Sequence, residues 1–180
     1  MDMKIAVIYK SKTGFTKKYA EWIAEAVSAD IFEISTVHIP MLDIYDTIIY
    51  GGSVHISEII GVKLITENMD RLANKRLIVF ATGVSPLRKS VVMDVQNKNF
   101  DLMQQKKIKF FYLRGGFDYS KLNFLDKFLM TLLKWKIKRK NKINLTADEI
   151  GMLAIYDKPA DFTMKENIDT ILNIVRGDVC

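Results

Sequence analysis

The chain has 180 residues, 49% of them hydrophobic and 27% charged, with a formal net charge of +6. That length and balance fit one soluble globular domain with a full-sized core. No apolar run reaches the roughly 18 residues that argue for a membrane-spanning helix, and a single cysteine, Cys180, excludes an internal disulfide.

Along the chain, short β-branched apolar runs alternate with helical periodicity, the pattern of βαβ units around a parallel sheet. Met1 to Lys4 lacks the layout of a secretory leader and runs straight into a strand over Lys4–Lys10. Ser11 to Thr16 follows. A helix is then predicted over about Gly14–Ser28, with Tyr19, Trp22, Ile23, Ala26 and Val27 on one face. A short strand is expected at Ile31–Ile34 and a third at Asp46–Tyr50, entering the loop Gly51-Gly52-Ser53-Val54-His55. Val62, Ile65, Met69 and Leu72 mark a second helix, and Arg76–Ala81 a fourth strand ending at Thr82-Gly83. Ser90–Met103 reads as one helix, Ile108–Leu113 as the fifth strand, and Phe124–Lys138 as an amphipathic helix. Met164, Ile168, Ile171, Leu172 and Val175 define a C-terminal helix. The expected architecture is α/β: a doubly wound five-stranded parallel sheet of order 2-1-3-4-5, with ligand loops at the carboxyl ends of strands one, three and four.

Ser11-Lys12-Thr13-Gly14-Phe15-Thr16 is a hydroxyl-rich loop with one glycine, set between a first strand and a first helix. A helix start offers unpaired amides and a partial positive charge, which suit a phosphate. Ser11, Thr13 and Thr16 add hydroxyl donors, and Gly14 lets the backbone turn close to the anion. A plain N-cap is the alternative. Lys12, Lys17 and Lys18 stand beside the site, where their ammonium groups are read as a solvated face. Neither G-x-x-x-x-G-K-[ST] nor G-x-G-x-x-G is present, and no metal site is expected.

Placed as it is, Ser11-x-Thr13-Gly14-x-Thr16 resembles the FMN phosphate loop of the flavodoxin-like proteins, and the order of elements resembles that family over nearly the whole chain. The resemblance implies FMN as cofactor. Gly51, Gly52, Ser53, Val54 and His55 would then lie at the ring's edge, where glycines admit close backbone approach; a strand-to-helix turn is the alternative. Thr82, Gly83 and Val84 would meet the pyrimidine edge. The family often places aromatic residues in these two loops to sandwich the ring; here His55 alone has a ring between Gly51 and Glu58, and none lies between Thr82 and Lys89.

The remaining signal is charge. From Lys106 to Lys142 twelve Lys or Arg stand against two acids, Asp118 and Asp126, a local +10; fifteen bases and nineteen acids elsewhere give −4. A basic helical insertion over about 114–145, between the fifth strand and the C-terminal helix of a single 1–180 domain, is expected to carry this charge. Gly116, Phe117 and Tyr119 would approach the flavin or its substrate. On the helix, Leu125, Phe128, Leu129, Leu132 and Leu133 form an apolar face opposite Lys127, Thr131, Lys134 and Lys138, and Lys136, Lys138, Arg139, Lys140 and Lys142 form a basic run. Such a helix fits a membrane surface over 121–142 or a sheet-covering helix with a solvated lysine face. Without interleaved stacking aromatics, no nucleic-acid partner is expected.

Gly115 to Tyr119 and Phe124 to Lys134 also resemble the menaquinone-dependent protoporphyrinogen dehydrogenases, over about twenty residues. That resemblance implies an FMN-dependent oxidoreductase passing electrons from a porphyrinogen to a membrane quinone, in the cytoplasm or at the inner face of the membrane. His55 and Tyr119 are its candidate catalytic side chains, and Arg114 and Lys121 its candidate partners for tetrapyrrole propionates. The alternative is a flavodoxin-type electron carrier without a small-molecule substrate; carriers usually present acidic surfaces, which the basic region opposes. Cys180 stands at the last position and not fourth from the end, where a prenylation box requires it.

Overall fold

A computed structural model describes residues 3–122, 124–140, 145, 147–156 and 159–177. The expectations placed on Met1, Asp2, Lys142 and Cys180 fall outside these residues, as does the side chain of Leu125. Five parallel strands form the sheet: β1 (Ile5–Lys10), β2 (Asp30–Glu33), β3 (Thr47–His55), β5 (Arg76–Gly83) and β6 (Ile108–Arg114). Their order is β2-β1-β3-β5-β6, with the two-residue β4 (Glu58–Ile59) paired antiparallel to β3. This is the doubly wound order expected from the sequence.

The central strands are apolar on both sides because both faces are covered. Alternate residues serve two cores. On one face Ile8, Ile48, Tyr50, Val79 and Ala81 meet Leu42, Ile65, Leu72, Val95 and Phe100. On the other, Val7, Ile49, Ile78 and Phe80 meet Tyr19, Ala20 and Ile23 of α1 (Phe15–Val27) and Ile171, Leu172 and Val175 of the C-terminal helix, Asp169–Arg176.

The structure corrects several boundaries. β3 does not end at Tyr50 but continues through the stretch read as a loop: Gly51 pairs with Tyr9 and Phe80, and Gly52 with Lys10 and Ala81. Ile56 and Ser57, both at positive φ, then make a two-residue hairpin turn into β4. The helix read from Val62 to Leu72 is regular only over α2 (Lys63–Thr66). There the Asn68 side-chain amide donates to Leu64 O, the carbonyl that the Asn68 backbone amide would take in a longer helix. The helix read over Ser90–Met103 is two, α3 (Lys89–Asn99) and α4 (Leu102–Lys107). Buried Phe100 is extended between them, and Asp101 caps the second through the amides of Met103 and Gln104.

Beyond β6 the chain forms a small antiparallel pair, β7 (Gly116–Phe117) with β8 (Ala160–Asp161), and two helices, α5 (Phe124–Lys138) and α6 (Ala147–Tyr156). The C-terminal helix, now α7, ends on Gly177 in the left-handed region, φ +83°. α5 has the expected limits. Ile137 is buried, at 2% exposure, while Phe128, Leu129, Leu132 and Leu133 of the apolar face are exposed. The residues read as its solvent face are engaged: the Thr131 hydroxyl lies 3.0 Å from that of Tyr119, and Lys134 Nζ lies 3.9 Å from the centre of the Tyr156 ring.

Candidate functional site

The carboxyl ends of β1, β3 and β5 converge, and hydroxyl groups tie them together. Thr16, in the first turn of α1, is fully buried; its Oγ1 lies 2.8 Å from Ser53 Oγ and 2.6 Å from Thr82 Oγ1. The Lys12 amide donates to Ser53 Oγ at 3.2 Å, and the Gly115 amide to Gly83 O at 2.8 Å. Three strand ends and the loop are thus held as one unit. Within the loop the Gly14 amide donates to Ser11 Oγ at 3.0 Å. Gly14 sits at φ +95°, a backbone conformation that other residues adopt only with strain. As N-cap it brings no side chain to the first turn of α1, so that turn's amides are left to an incoming acceptor.

Next to the loop lies a cleft of about 190 Å³. Lys12, Thr13 and Phe15 line it from the loop side; Ser53, Val54 and His55 from the end of β3; Thr82, Gly83 and Val84 from the end of β5; Gly116 and Phe117 from β7. Five of the expected residues do not line it. Ser11 caps the loop, Gly14 turns it, and Thr16 is locked beneath it. Gly51 and Gly52 pack the sheet: a Cβ on Gly51 would lie 2.1 Å from Phe80 Cζ, and one on Gly52 would lie 2.4 Å from Ile59 Cγ2.

The candidate catalytic side chains separate. His55 is exposed and lines the cleft from the turn end of the β3–β4 hairpin. Tyr119 lies outside the cleft; its hydroxyl donates to Lys127 O at 3.3 Å, and its ring packs on Tyr156 at 4.8 Å. Hydrogen bonds from Thr131 and then Tyr156 favour its phenolate and hold it below the usual tyrosine range. Arg114 is committed elsewhere, with its guanidinium 3.7 Å from the Phe162 ring centre and its Nε donating to Val84 O at 3.4 Å. Lys121 Nζ stands 3.7 Å from the Asp118 carboxylate and 5.9 Å from the ring centre of Phe15, which lines the cleft.

The wall formed by α5 was missed by the sequence reading. Leu122 and, from α5, Asp126, Leu129 and Met130 close the cleft, and Lys12 Nζ reaches Asp126 Oδ2 at 2.8 Å. One signal was available: Asp126 is one of only two acids in the basic segment. The donor set fits FMN. The Thr13 hydroxyl, open first-turn amides and Lys12 suit the phosphate, and the apolar slot bounded by Val54, Val84, Phe117, Leu129 and Met130 suits a flat ring. Phe15 and Phe117 bring aromatic rings to the cleft from the helix start and β7, although the second and third loops bring none but the imidazole.

The pattern of a flavodoxin domain matches residues 6–144. An uncharacterized protein of Methanocaldococcus jannaschii is 28% identical over 123 residues, which are 64% of this chain and 81% of that protein. Among solved structures, a Trp repressor binding protein from Bacillus subtilis is similar at TM-score 0.47 and 17% identity, over 62% of this chain and 83% of that one. A flavodoxin from the domain Archaea is similar at TM-score 0.39 and 19% identity, over 61% and 83%. With a phosphate-type loop, a strand-end cleft and a domain pattern spanning most of its length, the chain belongs to the flavodoxin domain family, and its cofactor is FMN.

Proposed function

We propose that the protein is an FMN-dependent oxidoreductase that works at a membrane surface, taking electrons from a porphyrinogen and delivering them to a membrane quinone. Bound FMN supplies the hydride or electron chemistry. The chain's own residues seat the phosphate, wall the ring and shape the space beside it. The observation that carries the reading is the double character of α5. Its inner side, through Leu129 and Met130, forms a wall of the cleft. Its outer side carries Phe124, Phe128, Leu132 and Trp135 at helical spacing, all exposed, Phe124 at 83%. Lys136, Lys138, Arg139 and Lys140 flank this stripe, and the Arg139 guanidinium stacks on Trp135 at 3.3 Å.

A helix held to its own protein by polar contacts and open to the outside with aromatics is the reverse of an ordinary surface helix. An anionic bilayer complements it: aromatic side chains enter the headgroup boundary while lysines meet lipid charge. No described helix is long and apolar enough to cross a membrane, so the contact is peripheral. A walled cleft suits a bound substrate better than electron exchange at an exposed ring edge, which favours the enzyme over the carrier. The porphyrinogen and quinone rest on the resemblance over Gly115–Tyr119 and Phe124–Lys134. Lys121, 5.9 Å from the ring centre of Phe15 in the cleft lining, is the better-placed cation for a propionate; Arg114 is engaged with Phe162 and Val84.

Two measurements test the proposal. Protein loaded with FMN should oxidise a porphyrinogen with a quinone as acceptor; FMN binding without turnover leaves the carrier reading. The protein should co-sediment with anionic vesicles and not with neutral ones, and Phe128→Ser/Trp135→Ser should lose that binding while keeping FMN. Vesicle binding that survives the double substitution overturns the membrane role of α5.

A further inference from the structure

Asp126 is the sole acid among the described residues lining the cleft. Its side chain is only 13% exposed, and it pairs with Lys12, the cation of the phosphate loop, at 2.8 Å. Lys12 is fixed at its backbone by the bond to Ser53 Oγ. Its ammonium thus reaches the α5 carboxylate while its backbone belongs to the turn assigned to the FMN phosphate.

We propose that Asp126 is an internal competitor for the phosphate seat, so that loading of FMN breaks the Lys12–Asp126 pair and moves the first turn of α5 away from the loop. Two independent features support this. The first is charge: a carboxylate and a phosphate dianion at one ammonium repel each other, and in a half-buried setting water screens that repulsion poorly. The second is size. With α5 in this position the cleft holds about 190 Å³, whereas sites for molecules of cofactor size run to about 300 Å³ and more. The wall that yields in this proposal is α5, whose Asp126, Leu129 and Met130 line the cleft. The strands on the other side are fixed in the sheet core. α5 carries the aromatic stripe on its outer side, so release of Asp126 also alters how that stripe is presented.

This inference rests on FMN as cofactor, and its test separates the two. FMN and riboflavin, which lacks the phosphate, are titrated by fluorescence quenching into the wild type and Asp126→Asn. The expected result is FMN affinity about tenfold higher in Asp126→Asn, about 1.4 kcal/mol, with a clearly smaller gain for riboflavin, which profits from the displaced wall but brings no phosphate. Inorganic phosphate should compete with FMN at lower concentration in the variant. In a Trp22→Phe background, Trp135 emission should shift when phosphate is added to otherwise wild-type protein, and should be shifted already in Asp126→Asn without phosphate. Weaker FMN binding by Asp126→Asn overturns the proposal and makes the pair a support of the loop. Equal affinities overturn it as well. A wild type that binds no FMN at all refutes the cofactor assignment instead.

Discussion

Gly51→Ala distinguishes two roles for the glycine pair. A glycine at the edge of a flavin ring would admit close backbone approach; the structure gives Gly51 a different task. It lies inside β3 opposite Phe80 of β5, and an added methyl would stand 2.1 Å from Phe80 Cζ and 2.6 Å from both neighbouring ring carbons. Phe80 is fully buried in the core packed beneath α1 and α7. The ring cannot leave without displacing that core. Overpacking of this kind costs about 1–3 kcal/mol, which in a domain of this size lowers the melting temperature by roughly 2–12 °C. Phe80→Leu withdraws the ring's far end, so Gly51→Ala should be much less harmful in that background. Thermal and urea melts of the four proteins give the coupling, expected at about 1 kcal/mol or more. FMN affinity, measured alongside by flavin fluorescence, should stay near wild type wherever the protein is folded. A Gly51→Ala protein as stable as wild type but poor in FMN binding would refute the packing argument and return Gly51 to the ring.

Thr16→Val keeps the side-chain shape but leaves Ser53 and Thr82 without their shared hydroxyl partner; a loss of about 1–3 kcal/mol is expected, with weaker FMN binding, both read by urea titration with and without cofactor. Gly14→Ala meets open space around its Cβ but must adopt φ +95°, so it should cost about 1–2 kcal/mol through the backbone alone; a melt as high as wild type would count against the strained turn. Asp118 offers a pH test. Hydrogen bonding from Ser120, with Lys121 beside it, holds its carboxyl below the ordinary carboxylate range. A depressed folded value means that its contribution is fully present above the unfolded value and disappears as pH falls through the folded one. Asp118→Asn should therefore melt below wild type at pH 7, and the gap should close as the solution is acidified below about pH 4. A gap independent of pH would assign the loss to packing.

What was legible in the sequence is what local physics controls. Buried parallel strands are continuous apolar runs, so β1, the core of β5 and β6 stand out, and their order follows from short right-handed connections. The turn between β1 and α1 was legible because hydroxyls, a glycine and a helix start fall together in six residues. What failed depended on contacts far along the chain. Gly51 and Gly52 look like loop residues until β1 and β5 are seen on either side of them, with the Phe80 ring filling the space a side chain would take. The Asn68 side chain shortens α2, and Asp101 restarts a helix that periodicity runs together. α5 was correctly bounded, yet helical spacing says nothing about which side a helix turns inward. Its inner contacts come from Lys12, more than a hundred residues away, and from tyrosines on either side of it in the chain. No reading of the segment alone supplies them.

The account depends most on the phosphate of FMN resting in the Ser11–Thr16 turn. Titration of the purified protein with FMN and with riboflavin tests this directly. Saturable one-to-one quenching by FMN, with riboflavin bound about tenfold more weakly or worse, is the predicted result. Equal affinity for the two flavins, or no quenching by either, would contradict it.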